Sequence, residues 1–298
     1  MPATIQHAFT ETNGVRLHYA HAGQGPLIVF LHGFPQSSYA FRHQLEEFSK
    51  DHFVVAPDLR GYNLSGKPHG LWNYGALPGC EDVCALVRRL GYERFTLVGH
   101  DWGAAVAWTF AFEHPEMLDR LVILSTGHPA LFDKALRTDP EQQKASQYLL
   151  ALRRRDIAAR LQHDNFAALR AVFAPFSFFT GEDRSAYHQA WAEAGSLDGM
   201  LAWYQREALG PAEGMKPARG DYAPEAVSQI VKVPTLVIYG DGDVYTRPAS
   251  HRGLDAYVTD LTFETLAGAS HWLCDEQPET VNRLIRKFVV AREARHTV

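Results

Sequence analysis

Short apolar runs alternate with helical patterns through the first third of the chain. Five of these runs have the length and composition of strands: Arg16–Ala20, Leu27–Leu31, Phe53–Pro57, Phe95–Gly99 and Arg120–Leu124. Between the third and the fourth of them, Glu81–Leu90 has the apolar spacing of a helix. Strands that alternate with helices predict a mostly parallel sheet covered by helices on both faces. Binding sites in such sheets lie at the carboxyl ends of the strands.

The pattern changes in the middle of the chain. From about Leu131 to about Tyr222 no run is typical of a strand, and several stretches have helical spacing. Asp183–Trp191 and Pro211–Gly220 are the parts of this region that read as most interrupted by loops. The sheet pattern returns at Thr235–Tyr239 and Leu261–Leu266, followed by an amphipathic helix near Thr280–Ala291. The sequence therefore predicts a core domain (1–127 and 223–298) with a helical cap (128–222) inserted between two of its strands.

A short glycine-flanked motif, Gly99-His100-Asp101-Trp102-Gly103, joins a predicted strand to an apolar helix start. Small residues two positions either side of a central residue let a strand turn sharply into a helix, and this nucleophile elbow presents the central side chain. The presented side chain here is that of Asp101. An aspartate that only caps the following helix would fit the same five residues, so the assignment depends on the rest of the chain.

An aspartate in this position restricts the chemistry. Its carboxylate has an ordinary pKa near ~4, so it is ionised at neutral pH without the help of a base. Attack on a carbonyl carbon would give a high-energy anhydride, whereas attack on a saturated carbon gives an ester that water can cleave. We therefore expect a substrate with an epoxide oxygen or a halide on a saturated carbon.

Two later positions supply an acid and a base. Asp243 follows one predicted strand and His271 follows the next, so Asp101, Asp243 and His271 occur in the nucleophile, acid, base order of α/β-hydrolases. A histidine oriented by a carboxylate can activate the water that cleaves the ester. Asp241 is the alternative acid, because Gly-Asp-Gly-Asp is also typical of a turn; we favour Asp243.

A candidate oxyanion hole follows the wholly apolar, and therefore central, strand Leu27–Leu31. The next residues are His32-Gly33-Phe34-Pro35. The backbone N–H of Phe34, together with that of Trp102, could stabilise the oxyanion formed when water attacks the ester. An ordinary turn after a strand is the alternative interpretation.

The leaving group separates an epoxide from a halide. An epoxide oxygen leaves as an alkoxide and needs a proton donor, whereas a halide needs only weak N–H donors. Three tyrosines lie on apolar stripes of the predicted cap: Tyr148 with Ala145, Leu149 and Leu152; Tyr187 with Ala190, Trp191 and Ala194; Tyr204 with Leu197, Met200 and Leu201. Tyrosine on such a stripe is more often part of the core, so spacing alone leaves all three open.

Composition narrows the class of protein. The chain has 298 residues, 46% of them hydrophobic, and a net charge of −5, which gives no reason to expect nucleic acid or an anionic membrane as a partner. No signal peptide and no apolar run of ~20 residues is visible. Cys80, Cys84 and Cys274 do not form a disulfide pattern, and without clustered histidines Cys80 and Cys84 do not predict zinc. We expect a cytoplasmic protein, a monomer or homodimer.

The chain resembles the epoxide hydrolases of the α/β-hydrolase superfamily from about Asn13 to about Phe288. The motifs that carry the resemblance are His32–Pro35, Asp58–Tyr62, Gly99–Gly103, Trp203-Tyr204, Gly240–Asp243 and Ser270–Trp272. The resemblance implies Asp101 as nucleophile, Asp243 as acid, His271 as base, and Tyr148 and Tyr204 as the two lid tyrosines. It implies no metal and no organic cofactor. Gln205 departs from the family pattern, which usually has arginine directly after the second tyrosine.

Related families fit less well. Many haloalkane dehalogenases have asparagine where this chain has Phe34, whose side chain cannot donate to a halide. Fluoroacetate dehalogenases have arginines just after the nucleophile, where Trp102 and Ala105 stand. The resemblance thus implies conversion of a hydrophobic epoxide to a vicinal diol, with haloalkane dehalogenation as the alternative reaction. A non-catalytic ligand-binding protein of the same fold is the alternative of another class, although it would have no need of a water-activating His271.

Overall fold

The fold was examined in a computed structural model that describes residues 4–206 and 229–293. It contains an eight-stranded sheet of order β1-β2-β4-β3-β5-β6-β7-β8, in which β2 is antiparallel to both neighbours and the remaining pairs are parallel. The strands are β1 (Gln6–Thr12), β2 (Val15–Ala22), β3 (Leu27–Leu31), β4 (Phe53–Pro57), β5 (Phe95–His100), β6 (Leu118–Leu124), β7 (Thr235–Gly240) and β8 (Leu261–Leu266). The predicted mostly parallel sheet is confirmed. The edge strand β1 was not predicted, because most of its side chains are exposed and it has no apolar run.

Helices cover both faces of the sheet. They are α1 (Arg42–Phe48), α2 (Ala76–Arg89), α3 (Trp102–Glu113), α4 (Pro129–Thr138), α5 (Pro140–Ala145), α6 (Tyr148–Leu152), α7 (Ile157–Phe173, interrupted at 163–166), α8 (Gly181–Ala192), α9 (Ser196–Arg206), α10 (Leu273–Glu276) and α11 (Pro278–Glu293). Alternate side chains of β3 enter two separate cores: Val29 packs with α2 and α3, and Ile28 packs with α1 and α11. This alternation is the two-residue period of a strand that is buried on both faces.

The described part of the region between β6 and β7 consists mainly of helices joined by short loops. Helices α4 to α9 occupy residues 129–206 without a strand in that range, as the sequence predicts. The predicted cap boundary at 222/223 and the stretch Pro211–Gly220 lie outside the described residues, so the limits of the cap remain a prediction. None of the helices in the described ranges is both long and apolar enough to cross a membrane.

Two local predictions in the cap were wrong. Asp183–Trp191 is not interrupted by a loop but forms most of α8, which begins with a capping box between Thr180 and Asp183 and buries Tyr187 and Trp191. The stripe from Ala145 to Leu152 is not one helix, because α5 ends at Ala145 and α6 begins at Tyr148. The third stripe is a single helix, α9, with Leu197, Met200, Leu201 and Tyr204 all buried.

Candidate active site

The turn between β5 and α3 exposes Asp101 at the carboxyl edge of the sheet. Asp101 has φ 53° and ψ −120°, a conformation that is costly for a residue with a side chain. The flanking glycines make the turn possible: a Cβ on Gly99 would lie 2.4 Å from the carbonyl oxygen of Gly103, and one on Gly103 would lie 2.1 Å from that of Leu31. The elbow predicted from the sequence is therefore present.

The carboxylate of Asp101 lies in the predicted oxyanion hole. Its Oδ1 accepts a hydrogen bond of 2.8 Å from the backbone N–H of Phe34, and the backbone N–H of Trp102 donates to the same carboxylate. A Cβ on Gly33 would lie 2.1 Å from that Oδ1, so only glycine leaves room for it. The side chain makes no helix-capping hydrogen bond and is 18% exposed. These contacts contradict the interpretation of Asp101 as a simple helix cap.

His271 lies between two carboxylates. Its Nδ1 is 2.8 Å from Oδ2 of Asp243, and its Nε2 is 3.5 Å from Oδ2 of Asp101. The other oxygen of Asp243 accepts from the backbone N–H groups of Tyr245 (2.7 Å) and Thr246 (2.9 Å). Since an ionised carboxylate only accepts, Nδ1 carries a proton and Nε2 faces Asp101. The three residues come from the ends of β5, β7 and β8.

The alternative acid, Asp241, lies elsewhere. Its side chain is exposed and its Oδ1 accepts a hydrogen bond of 2.7 Å from the backbone N–H of Gly268. It therefore fixes a turn between two strand ends, whereas Asp243 is fully buried against the imidazole. The structure brings Asp243, and not Asp241, into the site.

The charged forms of His271 and Asp101 stabilise each other. Burial lowers the pKa of the His271 imidazole, but the charge of Asp243 and the hydrogen bonds to both carboxylates outweigh it and raise the pKa to about 10. Burial raises the pKa of Asp101, yet the hydrogen bonds from His271 and from the Trp102 backbone hold it below its ordinary value of 3.8. The resting site therefore contains an ionised Asp101 beside an imidazolium.

Two of the three candidate tyrosines lie near enough to this carboxylate for its charge to act on their hydroxyls. Burial and the charge of Asp101 raise the pKa of both the Tyr148 and the Tyr204 hydroxyl well above 10, so both remain protonated at neutral pH. The Tyr204 ring lies 5.2 Å from the rings of both Phe34 and Trp102. The indole of Trp102 also acts on the Tyr204 hydroxyl and partly offsets the rise in its pKa.

The third candidate, Tyr187, has a different environment. Its hydroxyl accepts a hydrogen bond of 2.8 Å from the Gln36 amide, and its ring stacks on Phe173 at 5.3 Å. The charged groups that act on its pKa are Asp275, Arg42 and Asp183, and Asp101 is not one of them. The structure does not bring Tyr187 to the nucleophile.

Two residues of the site were missed. His100 donates from Nε2 to the backbone carbonyl of His271 at 2.8 Å and lies 4.7 Å from its ring; burial lowers the pKa of His100 to about 4, so it is neutral. The ring of Tyr245 lies 5.1 Å from His271 and 5.3 Å from Tyr148. His100 precedes Asp101 in the elbow motif, and Tyr245 lies two residues after Asp243. The sequence signal for both residues is therefore their nearness in the chain to a predicted site residue.

A group of metal-ligand types lies away from this site. Within the described ranges, ligand atoms of Cys80, Glu81 and His114 lie within 4.8 Å of one another. The sequence offered no histidine near Cys80, but the end of α3 brings His114 beside it. Burial raises the pKa of the Cys80 thiol, which disfavours the thiolate that a metal requires. Nothing in this group connects it to Asp101.

Comparison with known proteins agrees with this geometry. Residues 26–278 match the model of the α/β hydrolase fold family. The chain is 33% identical to epoxide hydrolase 3 of Xenopus tropicalis, over 95% of this chain and 78% of that protein. It is 36% identical to an epoxide hydrolase from Bacillus megaterium solved with an inhibitor, over 95% of this chain and 99% of the other, with a TM-score of 0.86. The chain belongs to the epoxide hydrolase family of the α/β-hydrolase superfamily.

Membership of the epoxide hydrolase family confirms the resemblance and the fold class read from the motifs. The similarity extends to proteins with a less specific name: the AB hydrolase superfamily protein YfhM of Bacillus subtilis (strain 168) is 33% identical over 96% of this chain and 98% of its own length. Like other members of the family, this protein is an enzyme, a hydrolase that acts on ether bonds.

Proposed function

We propose that this enzyme opens a hydrophobic epoxide with water and releases a vicinal diol, through a covalent ester on Asp101. The observation that carries the proposal is the pairing of one ionised carboxylate with two protonated tyrosine hydroxyls that lie near it, those of Tyr148 and Tyr204. A carboxylate can attack a strained ring carbon, and hydroxyls can protonate the oxygen that leaves. Both tyrosines belong to the proposed cap, 128–222.

The first step forms the ester. Oδ2 of Asp101 attacks one ring carbon, the bond between that carbon and the epoxide oxygen breaks, and a tyrosine hydroxyl gives its proton to this oxygen. Oδ1 stays on the N–H of Phe34 and becomes the carbonyl oxygen of the ester. The imidazolium of His271 then passes its proton to the tyrosinate. The step therefore ends with a neutral tyrosine and a neutral imidazole.

The second step cleaves the ester. Esterification removes the negative charge of Asp101, one of the two charges that raise the pKa of His271, so the imidazole becomes a base that can be neutral at physiological pH. It takes a proton from water while the water oxygen attacks the ester carbonyl. The charge that develops on the carbonyl oxygen is stabilised by the N–H groups of Phe34 and Trp102. Collapse breaks the bond between the carbonyl carbon and the diol oxygen, which takes the proton of the newly added hydroxyl, so the Asp101 carboxylate is restored beside the imidazolium.

The reaction is tested with an aryl glycidyl ether. We choose this substrate class because a variant of the Bacillus megaterium enzyme, 35% identical to this chain with a TM-score of 0.85, was solved with a naphthyloxy-propane-diol product. A single turnover in water labelled with heavy oxygen should give unlabelled diol and put the label into Asp101, because the oxygen added to the substrate comes from that carboxylate. Labelled diol in the first turnover would overturn the covalent ester.

Dehalogenation is separated by a second substrate. The indole of Trp102 is a side-chain donor that a halide could use beside the nucleophile, but Phe34 occupies the position of the second donor, and its side chain cannot donate. We therefore expect diol from styrene oxide and no bromide from 1,2-dibromoethane in the same preparation. Bromide without diol would favour a dehalogenase, and neither product from a folded preparation would favour a ligand-binding protein.

A further inference from the structure

A buried charged cluster joins the cap to the core outside the catalytic group. Arg42 of α1 lies 2.5 Å from Oδ1 of Asp275 in α10 and 2.8 Å from Oδ1 of Asp183 in the cap helix α8. Both carboxylates are buried, at 5% and 4% exposure. One guanidinium therefore holds a cap residue and a core residue together through two charge-assisted hydrogen bonds.

A neutral branch runs beside this cluster. The side-chain amide of Gln36 donates to Oδ2 of Asp275 at 2.9 Å and to the hydroxyl of Tyr187 in α8 at 2.8 Å. A third bond to α8 comes from its Trp191, whose indole N–H donates to the backbone carbonyl of Pro35 at 2.6 Å. Asp275 thus accepts from two core residues that each also contact α8.

The chain positions of these residues connect the cluster to the chemistry. Gln36 follows the oxyanion donor Phe34 by two residues, and Asp275 follows the base His271 by four. A displacement of Gln36 would move the Phe34 N–H, and a displacement of Asp275 would move the turn that carries His271. An error of about 1 Å in such groups can cost about a hundredfold in rate.

Stability alone is a weak reason for this arrangement. Buried ion pairs give little net stability, because desolvation of the charges offsets their attraction, and apolar replacements of similar volume are often as stable. The cluster instead fixes one relative position of three segments: α8, the loop 33–36 and the turn 270–276. These segments are brought together only by the tertiary fold.

We propose that Gln36, Tyr187 and Asp275 are positioning residues that hold the oxyanion donor and the base in register with cap helix α8. The inference rests on the proposed function, because it assigns these residues to both steps of that reaction. None of the three touches the reacting atoms. Their loss should slow the cleavage of the ester more than its formation, since cleavage needs Phe34 and His271 together.

The test removes one hydroxyl at a time. Tyr187→Phe deletes the acceptor of Gln36, and Ser196→Ala is the matched control, because the buried Ser196 hydroxyl accepts from the backbone N–H of Asn63 at 3.0 Å across another part of the boundary between cap and core. With phenyl glycidyl ether we expect Tyr187→Phe to slow ester cleavage about tenfold and to leave the rate constant of ester formation within about twofold. Ser196→Ala should leave both constants within about twofold.

A double-mutant cycle shows whether Gln36 and Tyr187 act through each other. The variant with both Gln36→Leu and Tyr187→Phe should be no slower than the worse single variant, because contacting residues are not additive. Equal loss in Ser196→Ala, or a lower unfolding midpoint in Tyr187→Phe with unchanged cleavage, would overturn the positioning role. If Gln36→Leu does not fold, Tyr187→Phe and its control decide the outcome.

A measurement without substrate separates this inference from the proposed function. The low-field proton resonance of the His271 Nδ1–H that faces Asp243 reports the position of the base in any folded preparation. We expect it to shift in Tyr187→Phe and not in Ser196→Ala. A wild type that does not turn over epoxides refutes the proposed function, whereas an unshifted resonance in Tyr187→Phe refutes the positioning role.

Discussion

Two buried aspartate–histidine pairs in the described part of the chain have almost the same local geometry. In one, Nδ1 of His271 lies 2.8 Å from Asp243; in the other, Nδ1 of His18 lies 2.6 Å from Asp58. All four residues are at most 3% exposed. Hydrogen-bond distance and burial therefore do not separate a catalytic pair from a structural one.

The far nitrogen of each histidine makes the difference. Nε2 of His18 lies 3.0 Å from Nδ1 of His7. Both ring nitrogens of His18 therefore have a side-chain partner, Asp58 on one side and His7 on the other. Nε2 of His271 faces the partly exposed Asp101 at 3.5 Å, which is longer than a strong hydrogen bond. Nε2 of His271 can therefore exchange a proton with a group derived from the substrate. Nε2 of His18 could do so only if its contact with His7 were broken.

The two acids also differ in what else they hold. Asp58 accepts from the backbone N–H of Ser38 at 2.9 Å and from the side chain of Asn63 at 2.9 Å, so it links three segments of the core. Asp243 accepts from the N–H groups of its own turn. Asp58 thus fixes the conformation of the loop 58–65 through hydrogen bonds, whereas the other oxygen of Asp243 is bonded to the imidazole of His271.

The largest expected effect is the loss of the base. His271→Gln should reduce steady-state turnover by about 10²–10⁴-fold, because ester cleavage then lacks its general base. The ester should still form, so the mass of the protein should rise by the mass of one epoxide molecule. The matched variant His18→Gln should keep turnover within about twofold and accumulate no ester. Equal loss of turnover in both variants would remove the distinction between the pairs.

Removal of a proton donor should have the next largest effect. Tyr204→Phe should slow ester formation about 10²-fold, because one donor to the leaving oxygen is lost. Stopped-flow tryptophan fluorescence can follow this step, since Trp102 contacts Tyr204 directly. Tyr92→Phe is the control, as its hydroxyl donates to the Gly25 carbonyl on the exposed far side of the sheet. If ester formation is as fast in Tyr204→Phe as in the wild type, Tyr204 is not a required proton donor and Tyr148 alone protonates the leaving oxygen.

The pH dependence of the two steps should differ. Ester formation needs an ionised Asp101, whose pKa is held below 3.8, and protonated tyrosines, whose pKa values are raised above 10, so its rate should be flat between about pH 5 and pH 9. Ester cleavage needs a neutral His271, whose pKa falls from about 10 once Asp101 is esterified. Cleavage should therefore slow as the pH falls, about tenfold per unit below that lowered pKa. Rapid-quench experiments measure both rate constants as a function of pH. An equal decrease of the two rate constants in acid would contradict the prediction.

The structural pair should show the smallest effect on catalysis and a clear effect on stability. Asp58→Asn should lower the free energy of unfolding by about 1–3 kcal/mol, because it weakens the bonds to the Ser38 N–H and to His18 in a buried site. Urea unfolding measures the change, and kcat of the folded protein should stay within about twofold. A loss of kcat without a loss of stability would make Asp58 part of the chemistry.

Local sequence predicted the parts of the site that depend on a few adjacent residues. The strands β3, β5, β7 and β8 followed from their apolar runs, and the elbow followed from Gly99 and Gly103, because a sharp turn needs small residues at fixed offsets. The predicted interruption at 183–191 conflicts with a local signal, because Thr180 and Asp183 form the capping box that begins α8. The break before Tyr148 had no such signal, since Ser146 and Gln147 are compatible with a helix.

The sequence by itself was enough to predict a mostly parallel sheet with a helical insertion, an aspartate at the elbow, and a later aspartate and histidine at two strand ends. Only the tertiary structure decided which aspartate meets His271, which tyrosines lie near Asp101, and that the rings of Phe34 and Trp102 pack against Tyr204. Each of these outcomes depends on contacts between residues that are distant in the chain. Periodicity shows which side of a helix is buried, but the neighbour against which it is buried is decided when all the elements pack together.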